Sequence, residues 1–165
     1  MLRIIFTLFF MTVTQWSTAK TPDSNHHYIT SKIAMYTQAF ERCKKAAESR
    51  SLPNDAIIEK LKDLPQRDVE RFLMSKSILV LHECEKPEIT ELAYAIVITE
   101  GEELQQQTRE AISAIKILTF SGDYRKFKKI HQSVPEDMRR SLERLEYFDR
   151  PFDDRLLLDV LQRKP

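Results

Sequence analysis

The amino-acid sequence predicts an all-α protein, a compact helical bundle of about six to eight helices tied by one disulfide. Only two glycines occur among the 165 residues, which disfavours folds rich in β-hairpins, because tight turns need residues that tolerate positive φ. Apolar residues recur at intervals of three and four along most of the chain, as on one face of a helix. Five of the seven prolines also stand in phrases typical of a first helical turn.

Each of these five prolines is followed within three residues by an acidic side chain. Proline in a first helical turn gives up no intrahelical hydrogen bond, and an acidic side chain behind it is favoured by the positive end of the helix dipole. We therefore predict that a helix begins at each of five sites, Pro53, Pro65, Pro87, Pro135 and Pro151.

A first helix is predicted over residues 31–50, because one apolar stripe runs through this stretch. The stripe advances by three or four residues at a time through Ile33, Tyr36, Phe40, Cys43 and Ala47. Two further helices are predicted over 57–64 and 65–85. Residues 89–118 are predicted to form either one long helix that is interrupted near Gly101 or two helices in series. The last three helices are predicted to begin at Tyr124, Pro135 and Pro151.

The stretch from Tyr94 to Thr99 is rich in β-branched residues, a composition that is also typical of a strand. No second stretch of the sequence offers itself as a pairing partner. Since a lone strand would leave its backbone groups unpaired, we predict that residues 94–99 are helical.

The first residues have the pattern of a secretory signal. Arg3 precedes an apolar run from Ile4 to Val13, and the small residues Ser17 and Ala19 fit a cleavage site after Ala19. A run of about 10 apolar residues is too short for a membrane anchor, which needs roughly 20. We predict a cleaved signal peptide over 1–19, a flexible leader over 20–29 and a single helical domain over 30–165, in a secreted or periplasmic protein with no integral membrane segment after cleavage.

Export affects how the net charge and the two cysteines are interpreted. Removing Arg3 leaves 25 basic against 25 acidic residues, a balance that gives no general reason to bind nucleic acid or anionic membranes. Two cysteines in an oxidising compartment favour a bridge. Cys43 lies on the first apolar stripe and Cys84 lies one helical turn after Val80, so we predict a disulfide between Cys43 and Cys84.

The run His82-Glu83-Cys84-Glu85 raises the question of a metal or catalytic cluster. On a helix His82 and Cys84 point in different directions, whereas ligands on one face need spacings of three or four. The H-E-x-x-H pattern of zinc proteases is absent. We therefore assign no metal and no cofactor, and interpret His82, Glu83 and Glu85 as solvated residues at a helix end.

No catalytic signature is present either. The sequence lacks G-x-S-x-G, a phosphate-binding loop and a dinucleotide fingerprint. A carboxylate pair of a hydrolase remains open, because 25 acidic residues include many pairs and spacing alone selects none.

Charge is distributed unevenly along the chain. Residues 83–110 carry eight glutamates against Lys86 and Arg109, whereas residues 124–144 carry seven lysines and arginines against three acids. One interpretation is that the two stretches attract each other within the bundle; the other is a polarised surface that binds a charged protein. The cations assigned to this basic face are Arg125, Lys126, Lys128, Lys129, Arg139 and Arg140.

Aromatic residues alternate with cations from Tyr124 to Lys129, as in single-strand nucleic-acid binders, but Tyr124 and Phe127 fall on one helical face with Ile130 and are interpreted as core.

Our functional hypothesis is an exported, non-enzymatic protein that binds a protein partner, of accessory, inhibitor, immunity or effector type. The alternatives are an exported hydrolase with a carboxylate site, which needs a cleft of converging acids, and a carrier that encloses a small apolar ligand.

Overall fold

The computed structural model describes residues 24–101, 103–120 and 123–163. Within these residues the chain forms seven α-helices and one short 3₁₀ helix, and no strand. In chain order they are α1 (Ser24–Glu48), α2 (Asp55–Lys62), α3 (Gln66–Ile98), α4 (Gln106–Phe120), α5 (Asp123–Gln132), α6 (Glu136–Glu143), the 3₁₀ helix (Glu146–Asp149) and α7 (Asp154–Gln162). The prediction of an all-α bundle is confirmed.

Four of the five proline phrases do start helices. Pro65 and Pro135 occupy the N-cap positions of α3 and α6. Pro53 precedes the N-cap Asn54, whose side chain accepts a hydrogen bond from the Ile57 amide at 3.0 Å. Pro151 stands two residues before the N-cap Asp153, which receives the corresponding bond from the first turn of α7. A side-chain cap thus supplements the proline in two of the four cases.

The helix start predicted at Pro87 is wrong, because α3 runs through this residue without ending. Proline inside a helix removes one backbone hydrogen bond and disfavours the preceding turn. Here the ring of Pro87 is exposed, while buried residues on either side, Val80 and Ile89, hold the two halves of α3 against the rest of the bundle. Tertiary packing therefore overrides the local helix-breaking tendency of Pro87.

Helix α1 begins earlier than predicted, at Ser24. The range 20–29 assigned to a flexible leader is thus helical from Ser24 onward, because Ile29 is fully buried against α3 and α4. His26 also contacts α4, its Nδ1 lying 3.3 Å from the Thr108 hydroxyl. The predicted signal peptide over 1–19 lies outside the described residues.

The stretch from Tyr94 to Ile98 forms the last turn of α3, so the helical prediction is confirmed. The interruption predicted near Gly101 is also present. Gly101 has φ of 93°, a left-handed conformation that glycine adopts without steric cost, and it leads the chain from α3 into α4.

Two separate groups of buried apolar residues share α3. The first core combines α2, the N-terminal half of α3, α6, the 3₁₀ helix and α7, and its buried members are Ile58, Leu61, Val69, Phe72, Leu73, Val80, Val134, Met138, Leu142, Phe148, Phe152 and Leu157. The second core combines the start of α1, the C-terminal half of α3 and α4, with Ile29, Leu92, Ala95, Ile96, Leu104, Ile112 and Ile115. Residues 82–88 of α3 lie between the two. Among the described residues no helix is long and apolar enough to cross a bilayer.

Candidate functional site

The predicted disulfide between Cys43 and Cys84 is confirmed. It joins α1 to the middle of α3, with the two Cα atoms 6.1 Å apart. Cys43 is fully buried, and the bridge stands in the part of α3 that separates the two cores. The His82-Glu83-Cys84-Glu85 run therefore lies inside a long helix and not at a helix end.

His82 is not the solvated residue that we predicted. Its imidazole stacks on the Tyr124 ring of α5, with the ring centroids 4.1 Å apart. Burial lowers the pKa of His82, and its Nδ1 has no hydrogen-bond partner within the described part of the chain. No local pattern around His82 indicates this contact, because Tyr124 belongs to a helix far along the chain.

Glu85 is likewise buried, with 6% of its surface exposed, so its predicted solvation is wrong. It lies four residues before Ile89 and seven before Leu92, and these spacings place it on an apolar face of α3. Burial, and then the charge of Glu88, raise the pKa of Glu85 to about 7. One oxygen of each of these carboxyl groups is buried and unpartnered among the described residues.

A second polar array, which the sequence did not indicate, joins α3, α5 and α6. The hydroxyl of Ser75 lies 3.1 Å from Nδ1 of His131, and Nε2 of His131 lies 2.8 Å from Oε1 of Glu143. Burial lowers the pKa of His131, against the opposing effect of the Glu143 hydrogen bond. In the neutral imidazole that burial favours, Nε2–H donates to Glu143 and Nδ1 is an acceptor.

The Ser75–His131–Glu143 array has the residue types of a catalytic triad but not its accessibility. A nucleophilic serine must reach a substrate carbonyl carbon, whereas Ser75 is fully buried inside α3. Its single hydroxyl proton also has a competing acceptor in the Arg71 carbonyl oxygen, 2.6 Å away. The array therefore fastens α5 and α6 to α3 and offers no nucleophile.

No group of three or more His, Cys, Asp or Glu side chains in residues 24–101, 103–120 and 123–163 is arranged to hold a metal ion. A polar groove of about 400 Å³ between α3, α5 and α6 is lined by Glu83, Lys128, Arg139 and Glu143. A more apolar groove of about 350 Å³ lies between α1, α3 and α7. Both are open to solvent, whereas the carrier hypothesis required an enclosed cavity.

The six cations of the predicted basic face differ in their surroundings. Arg139 is half-buried and donates to the Gln132 carbonyl oxygen at 3.3 Å, and Arg140 forms an ion pair with Glu136. The remaining four are exposed on α5 and form no ion pair within the described chain, namely Arg125, Lys126, Lys128 and Lys129. Tyr124, Phe127 and Ile130 are half-buried on the other side of α5 and belong to neither of the two cores, so their interpretation as core residues is not confirmed.

The acidic and basic stretches do not neutralise each other through ion pairs in the part of the chain that the structure describes. Two glutamates of α3 pair instead with α1, where Lys32 lies 3.0 Å from Glu91 and Arg42 lies 3.1 Å from Glu88. Glu83 pairs with Lys86 of α3 itself, 2.9 Å away. Lys128 shares the polar groove with Glu83 and Glu143, but no cation of α5 forms an ion pair with them.

Comparisons with protein-family models, with curated proteins and with solved structures found no match for this chain. The surfaces and polar arrays are therefore interpreted from their own geometry and charge.

Proposed function

We propose that this protein is an exported, non-enzymatic helical protein that binds an acidic protein partner through α5. The observation that carries the proposal is the α5 basic surface, defined here by Arg125, Lys126, Lys128 and Lys129. These four side chains are exposed on a helix of 10 residues and have no ion-pair partner within the described chain. Such a concentration of exposed, unpaired cations attracts a partner of opposite sign and orients it before contact.

The shape of α5 suits this role. Arg125, Lys128 and Lys129 are three and four residues apart, so they extend from one side of the helix. The opposite side is held by His82 stacking on Tyr124 and by the hydrogen bond between Ser75 and His131. A helix fixed at both ends presents its cations in one arrangement, which reduces the entropy lost on binding.

Export is supported by the disulfide and by the signal-like pattern of residues 1–19. Disulfides persist in oxidising compartments and are rare where thiols are kept reduced. Both cysteines of the chain are consumed by the bridge. The hydrolase alternative receives less support, because Glu85, the carboxyl group with a pKa near neutrality, is buried and lines neither of the two open grooves.

The proposal is tested by affinity capture with paired charge-reversal variants. Wild-type protein, the α5 variant Arg125→Glu/Lys129→Glu and the control Lys45→Glu/Arg67→Glu are immobilised and exposed to the contents of the native compartment. The control removes the same charge from exposed positions of α1 and α3. We expect an acidic protein that is retained by wild type and control, and is lost both with the α5 variant and at about 1 M salt, where charges are screened beyond roughly 3 Å.

The opposite outcome is equally clear. If wild type and the α5 variant retain the same proteins in the same amounts, the α5 basic surface is not the binding surface.

A further inference from the structure

The last turn of α3 exposes three large apolar side chains. Tyr94 is 62% exposed, Val97 is 65% exposed and Ile98 is 46% exposed. They are spaced three and four residues apart, so they adjoin one another on the helix surface. We call this group the α3 apolar face. It is a continuous patch, in contrast to the singly exposed apolar residues that any protein surface carries.

The fold does not need this patch. The buried side of the same turn is supplied by Leu92, Ala95 and Ile96, which belong to the second core. Val97 and Ile98 are moreover β-branched, and such residues have lower helix propensity than the Ala, Lys or Glu that a solvated helix surface accommodates. The sequence therefore retains apolar residues where neither burial nor helix formation favours them, which points to a contact with another molecule.

The chain segment that carries the α3 apolar face is acidic, although Arg109 and Lys116 of α4 line a groove together with Glu100. Residues 87–108 contain five glutamates and no lysine or arginine. Of these glutamates, Glu88 and Glu91 pair with Arg42 and Lys32 of α1. Glu100 and Glu103, just beyond the patch, are exposed and form no ion pair within the described residues. A cationic occupant would supply Glu100 and Glu103 with the ion-pair partners that they lack.

We propose that the α3 apolar face binds a cationic amphipathic segment of a partner protein. Apolar side chains of that segment would cover Tyr94, Val97 and Ile98, while its lysines or arginines would meet Glu100 and Glu103. Helix-in-groove and helix-on-face recognition of amphipathic segments uses the same combination of an apolar centre and a charged rim. The inference is independent of the α5 basic surface, because α5 packs on α3 from Ser75 to His82, about three to five turns before the patch.

The test uses a fluorescent peptide of leucine and lysine, about four helical turns long, with its leucines on one face. Its matched control carries glutamate in place of each lysine. Binding to the full chain is measured by fluorescence anisotropy for wild type, for Tyr94→Ser/Val97→Ser and for Ile117→Ser. Ile117 is a suitable control position, because it is 64% exposed on a different helix, α4.

We expect the lysine peptide to bind wild type and Ile117→Ser equally, and to bind Tyr94→Ser/Val97→Ser at least about tenfold more weakly. A tenfold change in affinity requires about 1.4 kcal/mol, and burying one such apolar side chain contributes more than that. The substituted residues are exposed, so circular dichroism should show unchanged helicity. Glu100→Lys should weaken the lysine peptide and leave the glutamate peptide no weaker.

Three results would overturn the proposal. The first is equal binding of the two peptides, or equal binding to all three proteins. The second is a concentration-dependent dimer that is lost in Tyr94→Ser/Val97→Ser, with no peptide binding, which would make a second copy the occupant. The third is a photo-cross-link from position 97 to residues 1–23 of the same chain in the absence of peptide, which would make this chain's own N-terminal segment the occupant.

Discussion

The two cores that share α3 are built differently. The first core contains Phe72, Phe148 and Phe152 in edge-to-face contact, with centroids 5.2 and 5.3 Å apart, and is closed at its edge by the Ser75–His131–Glu143 array. The buried residues of the second core are aliphatic, and the same turn of α3 that supplies them exposes the α3 apolar face. The first core is thus closed by polar contacts at its edge, whereas the second adjoins apolar surface that the fold does not need.

The segment between the cores decides how strongly they are coupled. It contains the Cys43–Cys84 bridge, the buried Glu85 and Pro87. The bridge stabilises this junction, while an unpartnered carboxyl group and a helix-interior proline weaken it. Substitutions in this segment should therefore change the stability of one core more than that of the other.

The largest effect is expected from the double substitution Cys43→Ala/Cys84→Ala. The bridge closes a chain segment with a sequence separation of 41 residues, and its removal should lower the free energy of unfolding by about 4 kcal/mol. Urea denaturation measures the total loss. Hydrogen exchange should show amides of α1 and α4 losing more protection than those of α6 and α7. A reductant should bring wild type to the stability of the variant and leave the variant unchanged; equal loss in both cores would contradict their separation.

Glu85→Gln should stabilise the protein above neutral pH. The pKa of this carboxyl is about 7 in the folded chain against 4.5 as its ordinary value, so between these values the unfolded chain loses the proton that the folded chain keeps. Wild type therefore loses stability as pH rises from 4.5 to 7, and the loss persists above 7. Denaturation at pH 8 should show the variant more stable by up to about 3 kcal/mol, with no difference near pH 4.

The matched control for this pH dependence is Glu41→Gln, an exposed carboxyl on α1. It should leave the pH profile of wild type unchanged. A profile of Glu85→Gln parallel to that of wild type would show that Glu85 does not titrate near pH 7.

At the edge of the first core, Ser75→Ala should lower the free energy of unfolding by about 1–3 kcal/mol, because it leaves Nδ1 of His131 buried without its hydroxyl partner. Glu143→Gln should lower the free energy of unfolding by less, since the amide oxygen still accepts a hydrogen bond from Nε2–H of His131. Thermal denaturation at pH 8, where His131 is neutral in the folded and unfolded chain, compares the two. A larger loss for Glu143→Gln would show that charge, and not hydrogen bonding, holds this array.

The smallest effect is expected on the surface of the second core. Val97→Ser and Ile117→Ser should each change the free energy of unfolding by less than about 0.5 kcal/mol, because both side chains are exposed. Urea denaturation checks this. A loss of several kcal/mol for Val97→Ser would mean that the α3 apolar face belongs to the fold after all.

Most features that sequence reasoning predicted have local causes, whereas the disulfide joins residues that are 41 positions apart. Helix starts follow from proline and the acidic residue behind it, the bend at Gly101 follows from glycine, and the Cys43–Cys84 bridge follows from two cysteines on apolar stripes. Tyr94–Ile98 was predicted to be helical because a strand would have lacked a partner, and that too is confirmed.

The features that were missed depend on residues distant in sequence. Ile29 extends α1 towards Ser24 because it packs with Leu92, and His82 is half-buried because α5 brings Tyr124 against it. Pro87 fails to end α3 because packing on both sides outweighs its local effect. Of these missed features, only the burial of Glu85 could have been predicted from the sequence, because its spacing from Ile89 and Leu92 places the carboxyl group on an apolar face of the helix.

The most direct test of the α5 basic surface is the rate at which the captured partner associates, measured as a function of ionic strength. A partner steered by Arg125, Lys126, Lys128 and Lys129 should associate faster with wild type than with Arg125→Glu/Lys129→Glu at low salt, and the two rates should converge as the Debye length falls below about 8 Å. Lys45→Glu/Arg67→Glu should follow wild type. Association rates for wild type and the α5 variant that are equal at every salt concentration would contradict the account.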